Sequence, residues 1–172
     1  DLGDMEETRN LARRALDING HVDVLVNNAG FQHVSPVDEF PEDVWAKLVQ
    51  VMLVAPFQLT KHLLPGMKDR GWGRIINMSS IHGLVASPNK SAYISAKHGL
   101  IGFTRSVALE TGIFGITVNA ICPSFVRTPL VENQLADLAE IAGVGEEEVV
   151  EKVILEQAAV KRLIEPQEVA DL

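Results

Sequence analysis

The sequence predicts an α/β protein built on a doubly wound parallel sheet, and three observations carry that reading. Short runs rich in Val and Ile recur at 22–26, 74–78 and 116–121, apolar on both faces as buried parallel strands are. Longer stretches with helical spacing lie between them, giving the strand–helix alternation of right-handed βαβ units. Each run also ends in residues suited to chemistry: Asn28 after the first, Ser80 after the second, Pro123 after the third. In such folds ligands sit beyond the carboxyl ends of the strands.

The elements follow in order. Met5–Asn19 reads as a helix stopped by Gly20. Val22–Val26 is the first strand and ends in Asn27-Asn28-Ala29-Gly30. A second helix runs from Pro41 to about Met67, with Val44, Trp45, Leu48, Val49, Met52, Leu59 and Leu63 on helical spacing. Pro56 inside it predicts a kink or a tightly packed bend. Arg74–Met78 is the second strand and leads into Ser79-Ser80. Ser91 to about Thr111 is the third helix, and Ile116–Ile121 the third strand, ending at Cys122-Pro123. Beyond Thr128 the pattern is helical and amphipathic, broken near Gly143 and Gly145. Glu165-Pro166-Gln167-Glu168 opens one more helix.

Bulk composition narrows the function classes. A length of 172 residues suits a single domain over 1–172 with a sizeable core. Apolar residues make up 47%, yet no run approaches the ~18 needed to cross a bilayer, so a soluble protein without a membrane partner is expected. A formal charge of −8 with no basic stripe argues against nucleic acid as a partner. The single cysteine, Cys122, excludes an internal disulfide and a cysteine-based metal cage, and no metal is expected. A lone thiol suits a reducing, cytoplasmic compartment.

Tyr93 and Lys97 are four residues apart, so on a helix they share one face, a turn apart. An ammonium that close favours the phenolate of a group whose ordinary pKa is about 10. Ser80, ending an apolar strand, can hold a carbonyl oxygen against the phenol. These three groups are equipment for moving a proton to or from a carbinol.

Asn27-Asn28-Ala29-Gly30, Ser80, Tyr93-x-x-x-Lys97 and Pro123-x-x-Val126-x-Thr128, with an interval of 13 from Ser80 to Tyr93, resemble the classical short-chain dehydrogenases/reductases over the whole chain. The resemblance implies a Rossmann-like sheet and hydride exchange with NAD. It makes Tyr93 the acid/base and has Ser80 position the substrate oxygen. Lys97 is then the residue that depresses the tyrosine pKa and bonds the nicotinamide ribose. It further implies cofactor contacts from Asp1 and Leu2 at the adenine end, from Asn28 and Gly30, and from Pro123, Val126 and Thr128 around the nicotinamide.

Within that family, Gln32, His82, Lys90 and Gln134 resemble the set that grips the carboxylate of a small 3-hydroxy acid. The implied partner is therefore a short hydroxy acid, touched by Gln32, Ser80, His82, Lys90, Tyr93 and Gln134. The family's usual assembly is a homotetramer. His33, His62, His98 and Ser79 are given no role.

Three departures from the family pattern bear on activity. Met52 stands where the family carries a catalytic asparagine, and Gln50 cannot replace it from about 200° round the helix. Losing part of a proton relay would slow turnover, within the ~10²–10⁴-fold that acid–base catalysis supplies, without abolishing it. The usual Pro-Gly after the third strand is Pro123-Ser124. No Gly-rich turn precedes Asn28 to carry a pyrophosphate at a helix N-terminus. The chain is thus expected to be an internal piece of an enzyme of roughly 250 residues, missing the first strands and the last strand, with weak or no dinucleotide binding of its own. NAD against NADP stays open. So do two other readings: a short-chain reductase of 3-oxoacyl or sugar substrates, and a non-catalytic relative with a degenerate site.

Overall fold

In the computed structural model, which describes residues 1–156 and 158–172, the chain resolves into two compact units, Asp1–Cys122 and Pro123–Leu172. The first contains a Rossmann-like parallel sheet of three strands in the order β1 (Val24–Asn27), β2 (Gly73–Met78), β3 (Ile116–Ile121). Leu25 lies opposite Ile75, and Ile75 opposite Val118. The first strand starts two residues later than the sequence predicts. The Val22 carbonyl is taken instead by the Arg70 guanidinium at 2.9 Å.

Helix α1 (Met5–Asn19) has the bounds its sequence predicts. The Asp4 carboxylate caps it, accepting the N–H groups of Glu6 and Glu7 at 2.8 Å each, and Gly20 ends it at φ 73°. The long second helix is divided into α2 (Glu42–Val49), a π-helical turn at Gln50–Val54, and α3 (Ala55–Arg70). Pro56 has no N–H to give the carbonyl of Met52, four residues earlier. The chain answers by widening, so that the Ala55 N–H reaches the Gln50 carbonyl. Helix α4 (Ser91–Thr111) follows β2 after a short 3₁₀ turn at Ile81–Gly83.

Alternation along the strands assigns the core. Ala12 of α1, Leu59, Leu63 and Met67 of α3 and Val107 of α4 cluster with Leu25, Ile75, Ile116 and Val118 of the sheet. On the opposite side of β1, Val24 and Val26 are about half exposed (48% and 52%), so the two-faced burial expected from their composition does not hold for this strand. A second cluster, Phe40, Leu48, Val51, Met52, Ala92, Tyr93 and Ala96, joins α2 and the π turn to the start of α4.

The connection from α4 into β3 needs glycine at one position. Gly115 sits at φ 72°, and a Cβ there would lie 2.5 Å from the Gly71 carbonyl oxygen. Gly115→Ala is expected to cost about 3 kcal/mol of stability, combining left-handed strain with a backbone clash. A urea titration of the variant checks this.

The second unit is helical: α5 (Pro129–Glu132), α6 (Leu135–Ala142), α7 (Glu146–Val149) running into a π turn at Val150–Ile154, and α8 (Pro166–Ala170). The expected break falls at Gly143, at φ 66°. Val131, Val149, Ile154, Leu155 and Leu163 form its core. A parallel bridge pairs Val126 with Ile164, and Glu165 and Glu168 close a capping box on α8. Among the described residues, no helix is long and apolar enough to cross a membrane.

Candidate active site

The carboxyl ends of β1 and β2 and the first two turns of α4 bring the suspected groups together. Ser80 leaves β2 in extended conformation, and its hydroxyl accepts the His82 N–H at 3.1 Å, which opens the 3₁₀ turn. Tyr93 and Lys97 lie on one face of α4 as their spacing predicts, 9% and 4% exposed. The Lys97 Nζ stands 5.5 Å from the centre of the Tyr93 ring.

Here the structure corrects an expectation. Burial raises the Tyr93 phenol above its ordinary value, and the hydrogen bond from Ser80, rather than the charge of Lys97, is what pulls it back down. The Lys97 ammonium is turned toward the end of β2, where it donates to the Met78 carbonyl at 2.6 Å. Burial lowers Lys97 itself to about 8, with Cys122 opposing that fall. A backbone carbonyl leaves no mark in a sequence, so residue spacing does not reveal this partner.

His82 packs on the same tyrosine, and the charge of Lys90 acts on His82. The His82 ring meets Tyr93 edge to face, with centroids 6.2 Å apart, and its Nε2 lies 3.2 Å from the Ser87 hydroxyl. Burial first, then the charges of Lys90 and His98, hold His82 below the ordinary histidine value. Lys90, 7% exposed, precedes α4 directly and is lowered by burial. Asn89 before it adopts φ 62°, the one non-glycine residue in the left-handed region among those described. Neither Ser87 nor Asn89 carries a signal in residue type or spacing that would single it out.

The other expected site residues are placed as follows. Asn28 and Gly30 are exposed in the loop after β1. A Cβ on Gly30 would lie 3.2 Å from the Met52 sulfur, so the methionine fills the space beneath that loop. Gln32 is half-buried and accepts the His33 N–H at 3.2 Å. The Asp1 carboxylate accepts the Gly3 N–H at 2.7 Å, and the Leu2 carbonyl faces the Gln50 amide at 3.4 Å. Pro123, Val126, Thr128 and Gln134 belong to the second unit. There Thr128 donates to the Val126 carbonyl at 3.3 Å, and the Gln134 amide, 9% exposed, donates to the Leu130 carbonyl.

A nicotinamide cofactor fits the first unit at its reactive end. Tyr93 and Lys97 supply a hydroxyl and an ammonium, and the Asn28-Ala29-Gly30 loop after β1 is exposed, a set suited to a ribose and a reacting carbinol.

Comparison with known proteins agrees with that geometry. The family model described as short chain dehydrogenase matches residues 1–139. D-beta-hydroxybutyrate dehydrogenase from Rhizobium meliloti (strain 1021) is 45% identical over 172 residues, all of this chain and 67% of that protein. Acetoacetyl-CoA reductase from the same organism is 38% identical over 160 residues, 93% of this chain and 61% of that protein. Among solved structures, a crystal structure of actinorhodin polyketide ketoreductase with NADPH superposes with a TM-score of 0.92 at 35% identity. It matches 99% of this chain, which spans 66% of that one. The chain thus covers roughly two thirds of the length of these relatives.

Proposed function

The chain belongs to the short chain dehydrogenase family, and from that premise we propose that the protein interconverts D-3-hydroxybutyrate and acetoacetate with NAD. The observation that supports this substrate over a neutral or CoA-linked one is the pair His82 and Lys90. A buried ammonium whose charge reaches His82, which itself packs on Tyr93, suits a small carboxylate, whose charge offsets the cost of keeping Lys90 ionised there.

The nicotinamide, when bound, is the hydride acceptor. The chain's own groups do the rest. Ser80 holds the substrate oxygen against the phenol, and Tyr93 takes the hydroxyl proton at its oxygen during oxidation and returns it during reduction. Because burial keeps the phenol protonated at neutral pH, reduction starts from the form already present. Asn28, Gly30, Tyr93 and Lys97 would hold the cofactor's reactive end. Gln32 would add to the grip on the carboxylate. A homotetramer is the proposed assembly.

Lys90→Met is expected to raise KM for 3-hydroxybutyrate by roughly 10²-fold while changing KM for a neutral secondary alcohol less than threefold. Steady-state kinetics on both substrates decides it. An equal effect on the two would remove the carboxylate from the assignment and leave the reductase reading suggested by the 38%-identical acetoacetyl-CoA reductase.

A further inference from the structure

A chain of buried polar side chains runs beneath the site without touching it. Asn27 Nδ2 donates to Asn77 Oδ1 at 2.8 Å, and Asn77 Nδ2 donates to Thr104 Oγ1 at 2.8 Å. Thr104 in turn donates to the Leu100 carbonyl at 2.7 Å. Asn77 is fully buried, and Asn27 and Thr104 are 8% and 6% exposed. Because Thr104 spends its proton on Leu100, only a lone pair faces Asn77, and the amide of Asn77 is oriented from both ends.

This polar chain lies next to the acceptor of the lysine. Asn77 immediately precedes Met78, whose carbonyl receives the Lys97 ammonium. On the other side of Met78, Ser79 Oγ donates to the backbone carbonyl of Lys97 at 3.2 Å. Residues 77 and 79 point to one side of the strand, and 97 and 104 are two turns apart on one side of α4. Two buried hydrogen bonds therefore bracket the lysine and its acceptor. A sheet–helix contact needing only adhesion would be served by Val or Leu at less desolvation cost.

We propose that Asn77 and Thr104 are positioning residues that fix the direction of the Lys97 ammonium relative to Tyr93. Asn27 extends the same restraint to the strand that ends in the Asn28-Ala29-Gly30 loop. The inference deepens the proposed function, because Lys97 serves that reaction, but its test does not depend on turnover.

The test uses the whole chain labelled with ¹³Cε-lysine, with the Lys97 resonance assigned by its loss in Lys97→Met, and follows that resonance through a pH titration by NMR. Lys97 is expected to titrate at about 8 in the parent protein. Thr104→Val, which keeps the side-chain shape and removes the hydroxyl, should release the ammonium toward solvent and raise its midpoint by about one pH unit or more. Thr104→Ser, which keeps the hydroxyl, should leave it near the parent value. A midpoint unmoved in Thr104→Val, or moved equally in Thr104→Ser, overturns the proposal and leaves the chain of side chains purely structural. If Thr104→Val does not fold, Asn77→Leu, which removes the amide donor to Thr104 without adding a charge, takes its place under the same criterion. Where turnover is measurable, Thr104→Val should lower kcat about tenfold with KM unchanged. Failure of the parent protein to oxidise 3-hydroxybutyrate would count against the proposed function alone, because the lysine titration is read without substrate.

Discussion

Tyr93→Phe is expected to lower turnover by ~10²–10⁴-fold, the contribution of a positioned acid/base, while leaving the fold intact. Phenylalanine keeps the ring that packs with Phe40, Leu48 and Ala96 and removes only the hydroxyl. The Ser80 hydroxyl retains the His82 N–H as a donor, so the stability change should stay within about 1 kcal/mol. The parent enzyme should show a matching pH dependence. With the phenol raised above its ordinary value, oxidation requires removing a proton that is still bound at neutral pH, so the oxidation rate climbs with pH. Reduction uses the protonated form and stays level until that group titrates. Tyr93 is the only tyrosine in the chain, so its ionisation can be followed directly by tyrosinate absorbance. Turnover of Tyr93→Phe within tenfold of the parent, in a protein that melts normally, would assign the proton transfer elsewhere.

The parts of this molecule that could be read in advance are those where side-chain identity repeats with the backbone. Met5–Asn19, Ser91–Thr111 and Ile116–Ile121 have the bounds their spacing predicts, because helix and strand periods impose the pattern directly. The neighbourhood of Tyr93 and Lys97 was legible for the same reason. What spacing could not show was where a long side chain points its end. Lys97 shares a face with Tyr93, yet its ammonium reaches the Met78 carbonyl, and the phenol's pKa follows burial and Ser80 instead.

Pro56 illustrates a second limit. Its missing N–H marks a fault in the helix, but the choice between a kink and a π turn depends on what packs around it, here a fully buried Met52 beneath Gly30. Ser79 shows a third. Beside Ser80 it looks redundant, and only the fold shows its hydroxyl on the Lys97 carbonyl.

Lys97→Met should trade function for stability, and the pH dependence makes the trade measurable. The ammonium is 4% exposed and titrates at about 8, against 10.5 in an unfolded chain. Between those values the unfolded chain binds more protons than the folded one, so parent stability rises with pH across that window. The full penalty of burying the charge is present below pH 8 and is relieved by about 10.5. That span of about 2.5 pH units, at ~1.4 kcal/mol each, corresponds to about 3 kcal/mol. Lys90, lowered by burial, adds to the same slope, whereas His82 has already lost its proton by neutral pH. Tyr93 works the other way, but only above pH 10, where the unfolded phenol ionises first. Urea titrations at pH 7 and pH 9.5 therefore isolate the lysines. The parent should gain about 2 kcal/mol between them from Lys97, on top of the share due to Lys90, and Lys97→Met should keep only that share. At pH 7 the variant should be the more stable protein, even after the Met78 carbonyl loses its donor at a cost of about 1 kcal/mol. A slope in the variant equal to the parent's would mean that Lys97 reaches water in the folded state. The stability of the fold does not account for a buried cation kept at this cost beside the single tyrosine, whereas the proposed reaction would give it a use.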